Sequence, residues 1–317
     1  MKGIVVKSTG SWYSVNAENG INYKCRIAGK IKLDDLKLTN PIAVGDEVTI
    51  ELEKEDADAF RAIIRAISPR KNYVVRQSPR KKHQLHFLAS NVDQVMIIVT
   101  IKEPNLKIGF IDRFLIMTEP YSIPAIIVFN KSDIYDKEDM DMYHHLHEVY
   151  TKIGYRVMLT SSVNGTGIDE IRSLLTDKTT LISGQSGVGK STLVNAIEPN
   201  LNLRTEEVSD FSGKGQHTTT FAEMFQLTFG GAIIDTPGIK TLAFSHLEVK
   251  DISHNFKEFF ALSDQCKFAN CTHRNEPKCA IKNAVVQGYI SELRYQNYLN
   301  LCEEVEDQNY WERHSDV

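Results

Sequence analysis

The hydrophobic pattern of the first 68 or so residues is that of short strands. Apolar and polar positions alternate in GIVVKSTGSWYSV, NYKCRIAG, DEVTIELE and FRAIIRAI, and turn formers at Asn19-Gly20, Gly29 and Gly45-Asp46 separate these segments. Short strands at this spacing predict a small all-β barrel. A five-stranded oligonucleotide-binding (OB) barrel fits the length, and an SH3-like barrel is the alternative that the pattern leaves open.

A different pattern begins near residue 90. The runs VDQVMIIVT, PAIIVFN, YRVMLTS and TTLISG are Val- and Ile-rich, and helix-period segments such as FIDRFLIMTEP lie between them. Buried strands that alternate with helices predict a doubly wound α/β domain with a mostly parallel sheet. FAEMFQLTFGGAIIDTPG adds a hairpin and another buried strand, and the pattern becomes helical after about Leu242. The expected domains are residues 1–68, 69–242 and 243–317.

Composition limits the class of protein. The 317 residues suit two or three domains, and 42% hydrophobic with 25% charged residues is ordinary for a globular protein. No segment approaches eighteen consecutive apolar residues, and the N-terminus MKGIVVKSTG lacks the apolar stretch of a signal peptide. We therefore expect a cytoplasmic protein that does not contact membranes, and nothing in the sequence suggests an obligate dimer, so we expect a monomer.

Charge is distributed unevenly, although the net charge is only −4. Residues 61–86 contain no acid and eight cations, namely Arg61, Arg65, Arg70, Lys71, Arg76, Arg80, Lys81 and Lys82. Such a block predicts contact with a polyanion, with a merely solvated surface as the alternative. If the polyanion is RNA, the cations from Arg70 to Lys82 are expected to bind phosphates, and Tyr73 and His83 to stack on bases.

GQSGVGKS, residues 184–191, matches the phosphate-binding pattern G-x-x-x-x-G-K-[ST] and has the required context, an apolar strand before it and a helical segment after it. Backbone N–H groups of such a loop surround phosphates, Lys190 would neutralise the β- and γ-phosphates, and the Ser191 hydroxyl would bind Mg²⁺. The predicted contacts from this segment are Gly184, Gln185, Ser186, Gly187, Val188, Gly189, Lys190, Ser191 and Thr192.

NKSD, residues 130–133, follows a buried strand and has the chemistry to recognise guanine. One carboxylate can accept from both the N1–H and the 2-amino group, so Asp133 would bind the base, while Asn130 fixes the loop and Lys131 covers the ring. Ser132 belongs to the same loop, and Ser161 or Ser162 in TSSVNG would lie beside the guanine O6. Adenine lacks this pair of donors, so a strong preference for guanine is expected.

DTPG completes the set. Asp235 would support the Mg²⁺ ion and the Gly238 N–H would contact a γ-phosphate. The two base motifs therefore precede the phosphate loop and the two switches, which is a circular permutation of the usual GTPase order. Because the second switch leads directly into the C-terminal region, nucleotide state is expected to move that region.

Three cysteines and a histidine are concentrated near the C-terminus as Cys266-x4-Cys271-x-His273-x5-Cys279. Three thiolates and one imidazole form a closed tetrahedral set that suits structural Zn²⁺. The alternative from spacing alone is a group of core cysteines beside a surface histidine.

The permuted motif order, the N-terminal barrel and the Cys/His cluster together resemble the ribosome small subunit-dependent GTPase A family of bacterial ribosome-assembly GTPases. GQSGVGKSTL, GKGQHTTT, DTPG and CKFANCTHRNEPKCA carry the resemblance, which spans essentially the whole chain. It implies an OB barrel, a permuted GTPase domain and a zinc-binding domain. It also implies GTP hydrolysis that is stimulated by the small ribosomal subunit during its late maturation, with the subunit and its rRNA as partners.

The hydrolytic group is not obvious. In Ras-like enzymes a Gln after D-x-x-G orients the attacking water, and here that position is Ile239. His217 is the leading internal candidate, and Thr219 is expected to complete the Mg²⁺ shell, which makes His217, Lys190 and Thr219 the expected catalytic residues. The alternative is a GTP-gated RNA-binding module with negligible hydrolysis. A P-loop small-molecule kinase would need neither NKSD nor DTPG.

Overall fold

The computed structural model describes residues 1–28, 41–53, 60–77, 85–203, 222–236 and 247–314. These ranges contain thirteen strands and eight α-helices. The strands are β1 (Lys2–Ser8), β2 (Tyr13–Ala17), β3 (Asn22–Ile27), β4 (Glu47–Leu52), β5 (Arg61–Ile67), β6 (Tyr73–Gln77), β7 (Leu85–Ser90), β8 (Gln94–Val99), β9 (Ala125–Phe129), β10 (Arg156–Leu159), β11 (Thr179–Gly184), β12 (Glu223–Gln226) and β13 (Ala232–Asp235). The helices are α1 (Ile108–Thr118), α2 (Lys137–Lys152), α3 (Ile168–Leu175), α4 (Lys190–Ile197), α5 (Val249–His254), α6 (Lys257–Ser263), α7 (Ala280–Val286) and α8 (Glu292–His314).

Strands β1 to β5 form a closed barrel. Their order is β1-β2-β3-β5-β4, and β4 pairs back onto β1. The pairing of β3 with β5 is parallel and the other pairings are antiparallel. Tyr13, Val15 and Cys25 point into the barrel, as the alternation of the sequence predicts. This topology confirms the OB-type barrel and excludes the SH3-like alternative.

The central sheet has the order β10-β9-β8-β11-β13-β12, and its pairings are parallel except for that of β12 with β13. From β8 the chain moves outward through β9 to β10, whereas β11, β13 and β12 lie on the opposite side of β8. The order therefore reverses between β8 and β11, which is where ligands bind in open α/β sheets. Helices α1 and α2 cover one face, and α3 and α4 cover the other. The predicted doubly wound domain is confirmed.

In the described part of the chain, the barrel and the sheet are joined through β12 and through the β6–β7 hairpin. Strand β1 pairs with β12 at Lys7 and Glu223, whose side chains form an ion pair of 2.7 Å. The β6–β7 hairpin lies between the two units along the chain, and the Ser90 hydroxyl at its end donates to the buried Asp46 carboxylate (2.7 Å). The barrel is therefore fixed to the domain that carries the nucleotide motifs.

The C-terminal helices pack on the same core as the central sheet. Phe256, Phe259 and Tyr298 belong to the hydrophobic cluster that contains the side chains of β8 and α1. Arg294 of α8 is buried and pairs with Asp112 of α1 and with Glu258 of α6. The predicted helical C-terminal region is confirmed, whereas the domain boundaries at 68 and 242 stay predictions. Among the described helices, none has the length and apolar composition of a membrane span.

Candidate functional site

Four predicted nucleotide-binding segments meet at one edge of the sheet. The phosphate loop follows β11, the NKSD loop follows β9, the Ser161–Ser162 segment follows β10, and Asp235 is the last residue of β13. All four strands are parallel, so their carboxyl ends lie together. The topology thus assembles the motifs despite their permuted order in the sequence.

The phosphate loop has the backbone that an anion site needs. Gly187 and Gly189 have φ values of +84° and +85°, which only glycine adopts readily. A β-carbon on Gly184 would lie 2.3 Å from the Ile98 carbonyl oxygen. Lys190, the first residue of α4, folds back so that its Nζ donates to the carbonyl oxygens of Gly184 (3.1 Å) and Gln185 (2.8 Å). Its ammonium is thereby held at the loop, with Ser191 and Thr192 in the first turn of α4.

A direct hydrogen bond joins the base-reading loop to the phosphate loop. The buried Asn130 side chain donates from Nδ2 to the Val188 carbonyl oxygen (3.0 Å), and its Oδ1 accepts from the Thr160 hydroxyl (3.1 Å). A β-carbon on Gly189 would lie 2.7 Å from the same Nδ2. Asn130 therefore sets the distance between the two loops, as expected for a residue that fixes the loop rather than contacts the base.

The two segments expected around guanine are also in contact. The Ser161 hydroxyl donates a short hydrogen bond to Asp133 Oδ1 and accepts from the backbone N–H of Val163 (3.2 Å) and Asn164 (3.3 Å). The buried Ser162 hydroxyl has no hydrogen-bond partner within the described part of the chain. Ser132 lies in the short 3₁₀ turn that presents Asp133. Asp133, Ser161 and Ser162, which are the residues expected around guanine, therefore lie together in one corner of the site.

Tyr135, which no motif includes, supports this corner from behind. Its hydroxyl donates to the Asn130 carbonyl oxygen and accepts from the Ile101 N–H, both at 2.8 Å. Lys131 donates from Nζ to the Glu103 carbonyl oxygen at 2.6 Å. The segment after β8 thus braces the NKSD loop. Sequence reasoning missed this segment because no spacing rule links it to NKSD.

The structure describes only one of the remaining predicted residues, Asp235. Asp235 is buried at the end of β13, and the neighbouring Thr236 donates from its hydroxyl to the Ile182 carbonyl oxygen (3.1 Å) on β11. Asp235 itself is paired in register with Ile182, so it lies beside the strand that leads into the phosphate loop. His217, Thr219 and Gly238 lie outside the described residues, as does Ile239.

Comparison with known proteins decides the family. A sequence model of the RsgA GTPase domain matches residues 67–245, and one of the RsgA N-terminal domain matches residues 2–59. The chain belongs to the RsgA GTPase family. The Small ribosomal subunit biogenesis GTPase RsgA of Flavobacterium psychrophilum is 50% identical over 96% of this chain and 93% of its own length. The protein of the same name from Phocaeicola vulgatus is 48% identical over 98% of this chain and 99% of its own length.

Solved structures agree with this assignment. The crystal structure of YjeQ from Thermotoga maritima has a TM-score of 0.74 and 35% identity, covering 96% of this chain and 98% of that one. The structure of YloQ, described as a circularly permuted GTPase, has a TM-score of 0.70 and 30% identity, covering 97% of this chain and 95% of that one. The permuted fold is therefore confirmed, and RsgA family membership makes GTP hydrolysis the reaction of this chain.

A second site lies in the C-terminal region. The ligand atoms of Cys266, Cys271, His273 and Cys279 all lie within 4.8 Å of one another. His273 Nδ1 is 3.6 Å from Cys266 Sγ and 3.5 Å from Cys279 Sγ. Ligands placed 2.0–2.3 Å from a tetrahedral zinc ion are separated by roughly 3.5–3.8 Å. The cluster can therefore hold one metal ion, and the alternative of scattered core cysteines is excluded.

In the absence of a cation, the environment of the cluster favours neutral ligand groups. Burial and the neighbouring thiol of Cys279 raise the pKa of Cys271 to about 12, so that the thiolate needs a compensating positive charge. Burial lowers the pKa of His273, which keeps the imidazole in its neutral, metal-binding form. The backbone N–H of Ala280 donates to Cys266 Sγ (3.4 Å). Hydrogen bonds from the backbone to ligand sulfur are typical of metal sites.

Two residues of the basic block, Arg70 and Tyr73, differ from their expected roles. Arg70 was expected to bind phosphates, but its side chain is 10% exposed and binds both carboxylate oxygens of Asp46 at 2.7 Å. Tyr73, expected to stack on bases, packs instead against Phe87 and Tyr121 with ring centroids 5.4 and 4.5 Å away. Lys71 pairs with Asp93 at 3.0 Å. These three residues support the junction of barrel and sheet, while residues 78–84, including His83, lie outside the described residues.

Proposed function

We propose that this chain hydrolyses GTP as a factor in the late biogenesis of the small ribosomal subunit, and that the subunit and its rRNA accelerate hydrolysis. The hydrogen bond from Asn130 to Val188 carries the nucleotide part of the proposal, because it joins a guanine-reading loop to a phosphate loop in one site. The relatives named as small ribosomal subunit biogenesis GTPases support the partner. We place this activity in the cytoplasm and expect a monomer.

Each part of the nucleotide has residues suited to it. The backbone of residues 184–189 and the N-terminus of α4 would bind the phosphates, and Lys190 would move from the carbonyl oxygens of its own loop to the β- and γ-phosphates. Asp133 would accept from the guanine N1–H and 2-amino group. The Ser162 hydroxyl, buried and without a partner among the described residues, would donate to the guanine O6.

A magnesium ion and a distant histidine complete the proposal. Ser191 and Thr219 would coordinate Mg²⁺, with Asp235 in its outer shell and the Gly238 N–H on the γ-phosphate. Because Ile239 cannot orient water, hydrolysis by the isolated chain should be slow, and His217 would orient the attacking water once the chain is bound to the subunit. At the metal cluster, Cys266, Cys271, His273 and Cys279 would hold one structural Zn²⁺.

The deciding experiment measures GTP turnover by the zinc-loaded protein alone, with small subunits and with large subunits. Strong stimulation by the small subunit only is expected, and a His217→Ala variant should bind GTP normally but lose most of that stimulation. A near-zero rate in every condition would instead identify a GTP-gated binding module. Stimulation by both subunits alike would contradict the proposed partner.

The Asp133→Asn variant provides a matched control for the nucleotide site. An asparagine can accept from the N1–H but donates at the position where the carboxylate accepted from the 2-amino group. Xanthine carries an oxygen there, so the variant should prefer xanthosine triphosphate over GTP, by at least about tenfold, since unpaired buried polar groups cost roughly 1–3 kcal/mol. Unchanged GTP preference would show that Asp133 does not bind the base.

A further inference from the structure

The segment between Cys271 and Cys279 supplies the histidine of the metal cluster, and its backbone takes an uncommon conformation there. His273 has a φ of +58°, in the left-handed region that residues other than glycine rarely adopt. The residue is buried, and its Nδ1 lies within 3.6 Å of the sulfur atoms of Cys266 and Cys279. A backbone conformation of this kind persists only where surrounding groups hold it.

One carboxylate holds the backbone on both sides of this histidine. Glu276 Oε1 accepts from the backbone N–H and from the hydroxyl of Thr272, both at 2.6 Å. Glu276 Oε2 accepts from the backbone N–H of Arg274 at 3.0 Å. Thr272 and Arg274 are the residues immediately before and after His273, so a single side chain fixes the chain on either side of the ligand. Hydrogen bonds to an ionised carboxylate are stronger than those between neutral groups.

These hydrogen bonds do not involve the metal ligands themselves. The groups that donate to Glu276 are two backbone N–H groups and a hydroxyl, so the hydrogen bonds can form before an ion binds. The Tyr298 and Tyr295 hydroxyls donate to the carbonyl oxygens of Thr272 (2.6 Å) and His273 (2.7 Å), which fixes the same segment from the side of α8. A segment that is ordered in advance loses less conformational entropy when it binds its ligand.

We propose that Glu276 is the positioning residue of the metal cluster, whose carboxylate holds the segment around His273 so that the imidazole faces the same point as the three thiolates. The inference rests on the zinc ion proposed above. Glu276 is not one of the four residues whose ligand atoms lie together, so it acts through the backbone rather than as a ligand. Residues that orient metal ligands typically change metal affinity by about 10- to 100-fold when they are replaced.

The rate at which zinc leaves the full-length protein provides the first test. Zinc-loaded wild type and variants are mixed with an excess of a chromophoric chelator, and the absorbance of the chelator follows the transfer. Glu276→Gln keeps an oxygen for Thr272 but turns an NH₂ group towards the Arg274 N–H, so transfer should be at least about threefold faster. Glu276→Ala loses all three hydrogen bonds and should transfer zinc at least about tenfold faster. Glutamine has nearly the size of glutamate, so the test does not depend on the folding of the alanine variant.

Glu306→Gln is the matched control. Glu306 also binds Arg274, but it accepts from the guanidinium (2.7 and 2.8 Å) and not from the backbone. The same chemical change therefore leaves the hydrogen bonds around His273 in place. Because a partly exposed ion pair contributes little, the rate of zinc transfer should stay within about twofold of that of the wild type.

The spectrum of bound Co²⁺ distinguishes positioning of the histidine from general support of the loop. Co²⁺ can take the place of zinc, and its visible bands depend on the number and type of its ligands. His273→Ala, which leaves three thiolates, gives the reference spectrum of a cluster without the imidazole. Glu276→Ala should move the spectrum towards this reference, whereas Glu306→Gln should keep the spectrum of the wild type.

Three results would overturn the inference while leaving the proposed zinc intact. Equal transfer rates for the wild type and both Glu276 variants would show that the carboxylate does not act on the metal cluster. Equally fast transfer from Glu306→Gln and Glu276→Gln would show that any lost carboxylate in this region has the same effect. Faster transfer with an unchanged Co²⁺ spectrum would show that Glu276 only stabilises the loop.

Failure of the proposed function would look different. A wild type that takes up neither zinc nor Co²⁺ would overturn the proposed zinc and this inference together. A wild type that binds zinc but shows no subunit-stimulated GTP turnover would count against the proposed function alone, because the transfer rates and spectra do not depend on the ribosome.

Discussion

Single polar side chains hold the nucleotide loops in place. The Tyr135 hydroxyl is partly buried, and burial raises its pKa, so it stays protonated at neutral pH and can donate to the Asn130 carbonyl oxygen. The Tyr135 hydroxyl oxygen also accepts from the Ile101 N–H. One hydroxyl therefore connects the segment after β8 to the residue that joins the base and phosphate loops.

Replacing Tyr135 by Phe should weaken guanine nucleotides. Loss of the two hydrogen bonds costs about 1–3 kcal/mol in total, because the Ile101 N–H is left without its partner. If part of this cost falls on the orientation of the NKSD loop, the Kd of GDP should rise about three- to tenfold, as measured by titration of a fluorescent GDP analogue.

The matched control is Tyr155→Phe, since the Tyr155 hydroxyl also donates a hydrogen bond, in its case to the Glu119 carboxylate (2.8 Å), but lies near the amino ends of the strands. It should leave the Kd unchanged. Equal effects of the two variants would mean that Tyr135 contributes only to general stability.

Glu198 is a buried residue whose role depends on its negative charge. It is buried after α4 and accepts from the Thr228 hydroxyl (2.6 Å) and backbone N–H (2.8 Å), and these hydrogen bonds lower its pKa below the ordinary 4.5. Because the pKa is lower in the folded chain, the carboxylate stabilises the fold above pH 4.5, and this contribution is lost as the pH falls through the folded value.

The variant Glu198→Gln should therefore be less stable than the wild type by about 1–2 kcal/mol at pH 7. The difference in the free energy of unfolding should narrow as the pH falls below 4.5, since the carboxylate of the unfolded wild type is protonated there first and that of the folded chain only at lower pH. Urea unfolding at a series of pH values measures this gap. A gap that stays constant with pH would show that the charge of Glu198 contributes nothing.

At the scale of elements, a buried charge network attaches the C-terminal helices to the central domain. Arg294 of α8 pairs with Asp112 of α1 and with Glu258 of α6 (2.8 Å). Tyr150 of α2 donates to the same Asp112 (2.8 Å), as does Asn297 (2.5 Å). A nucleotide-dependent movement of the C-terminal region would either carry α1 and this network with it or break the network. The movement expected from the motif order stays a prediction.

Breaking the network should be costly. Arg294→Met leaves the buried Asp112 and the partly buried Glu258 without their cation, and removing one partner of a buried pair costs roughly 3–5 kcal/mol. The control is Arg65→Met, whose pair with Glu51 is largely exposed and should be worth under about 1 kcal/mol. Urea unfolding compares the two. If Arg294→Met costs no more than the control, the C-terminal helices are held by apolar packing alone.

For the whole molecule, the metal cluster is coupled to the main core. Cys279 belongs to the same hydrophobic cluster as β8 and α1, and Cys266 and Cys271 pack against it. The Tyr295 and Tyr298 hydroxyls of α8 donate to the carbonyl oxygens of His273 (2.7 Å) and Thr272 (2.6 Å). Loss of a metal from this loop should therefore lower the stability of the central domain as well as that of the C-terminal region.

Removal of zinc by a chelator should lower the Tm of the whole chain by several degrees, because metal binding stabilises the folded state alone. Metal analysis should give one zinc per chain for the wild type and for Cys302→Ala, whose thiol is buried outside the cluster, and none for Cys279→Ala. A chelator that lowers the Tm of Cys279→Ala as much as that of the wild type would contradict the assignment.

Much of this protein is determined by local sequence. Alternation of period two gave the barrel, and apolar runs with helices between them gave the sheet. The nucleotide motifs could be located because each follows a strand, and parallel strands bring their carboxyl ends to one edge whatever their order along the chain. The Cys/His cluster could be predicted because its four ligands are close in sequence. The chemistry of these sites is carried by side chains and glycines within short segments.

Only the tertiary structure decided which of the remaining side chains are available. Arg70 was predicted to bind phosphates, but it forms an ion pair with Asp46, which lies twenty-four residues earlier in the sequence. Tyr73 was predicted to stack on bases, but its ring packs against Phe87 and Tyr121. Burial and pairing between residues distant in sequence depend on how the strands come together, and no local pattern specifies that.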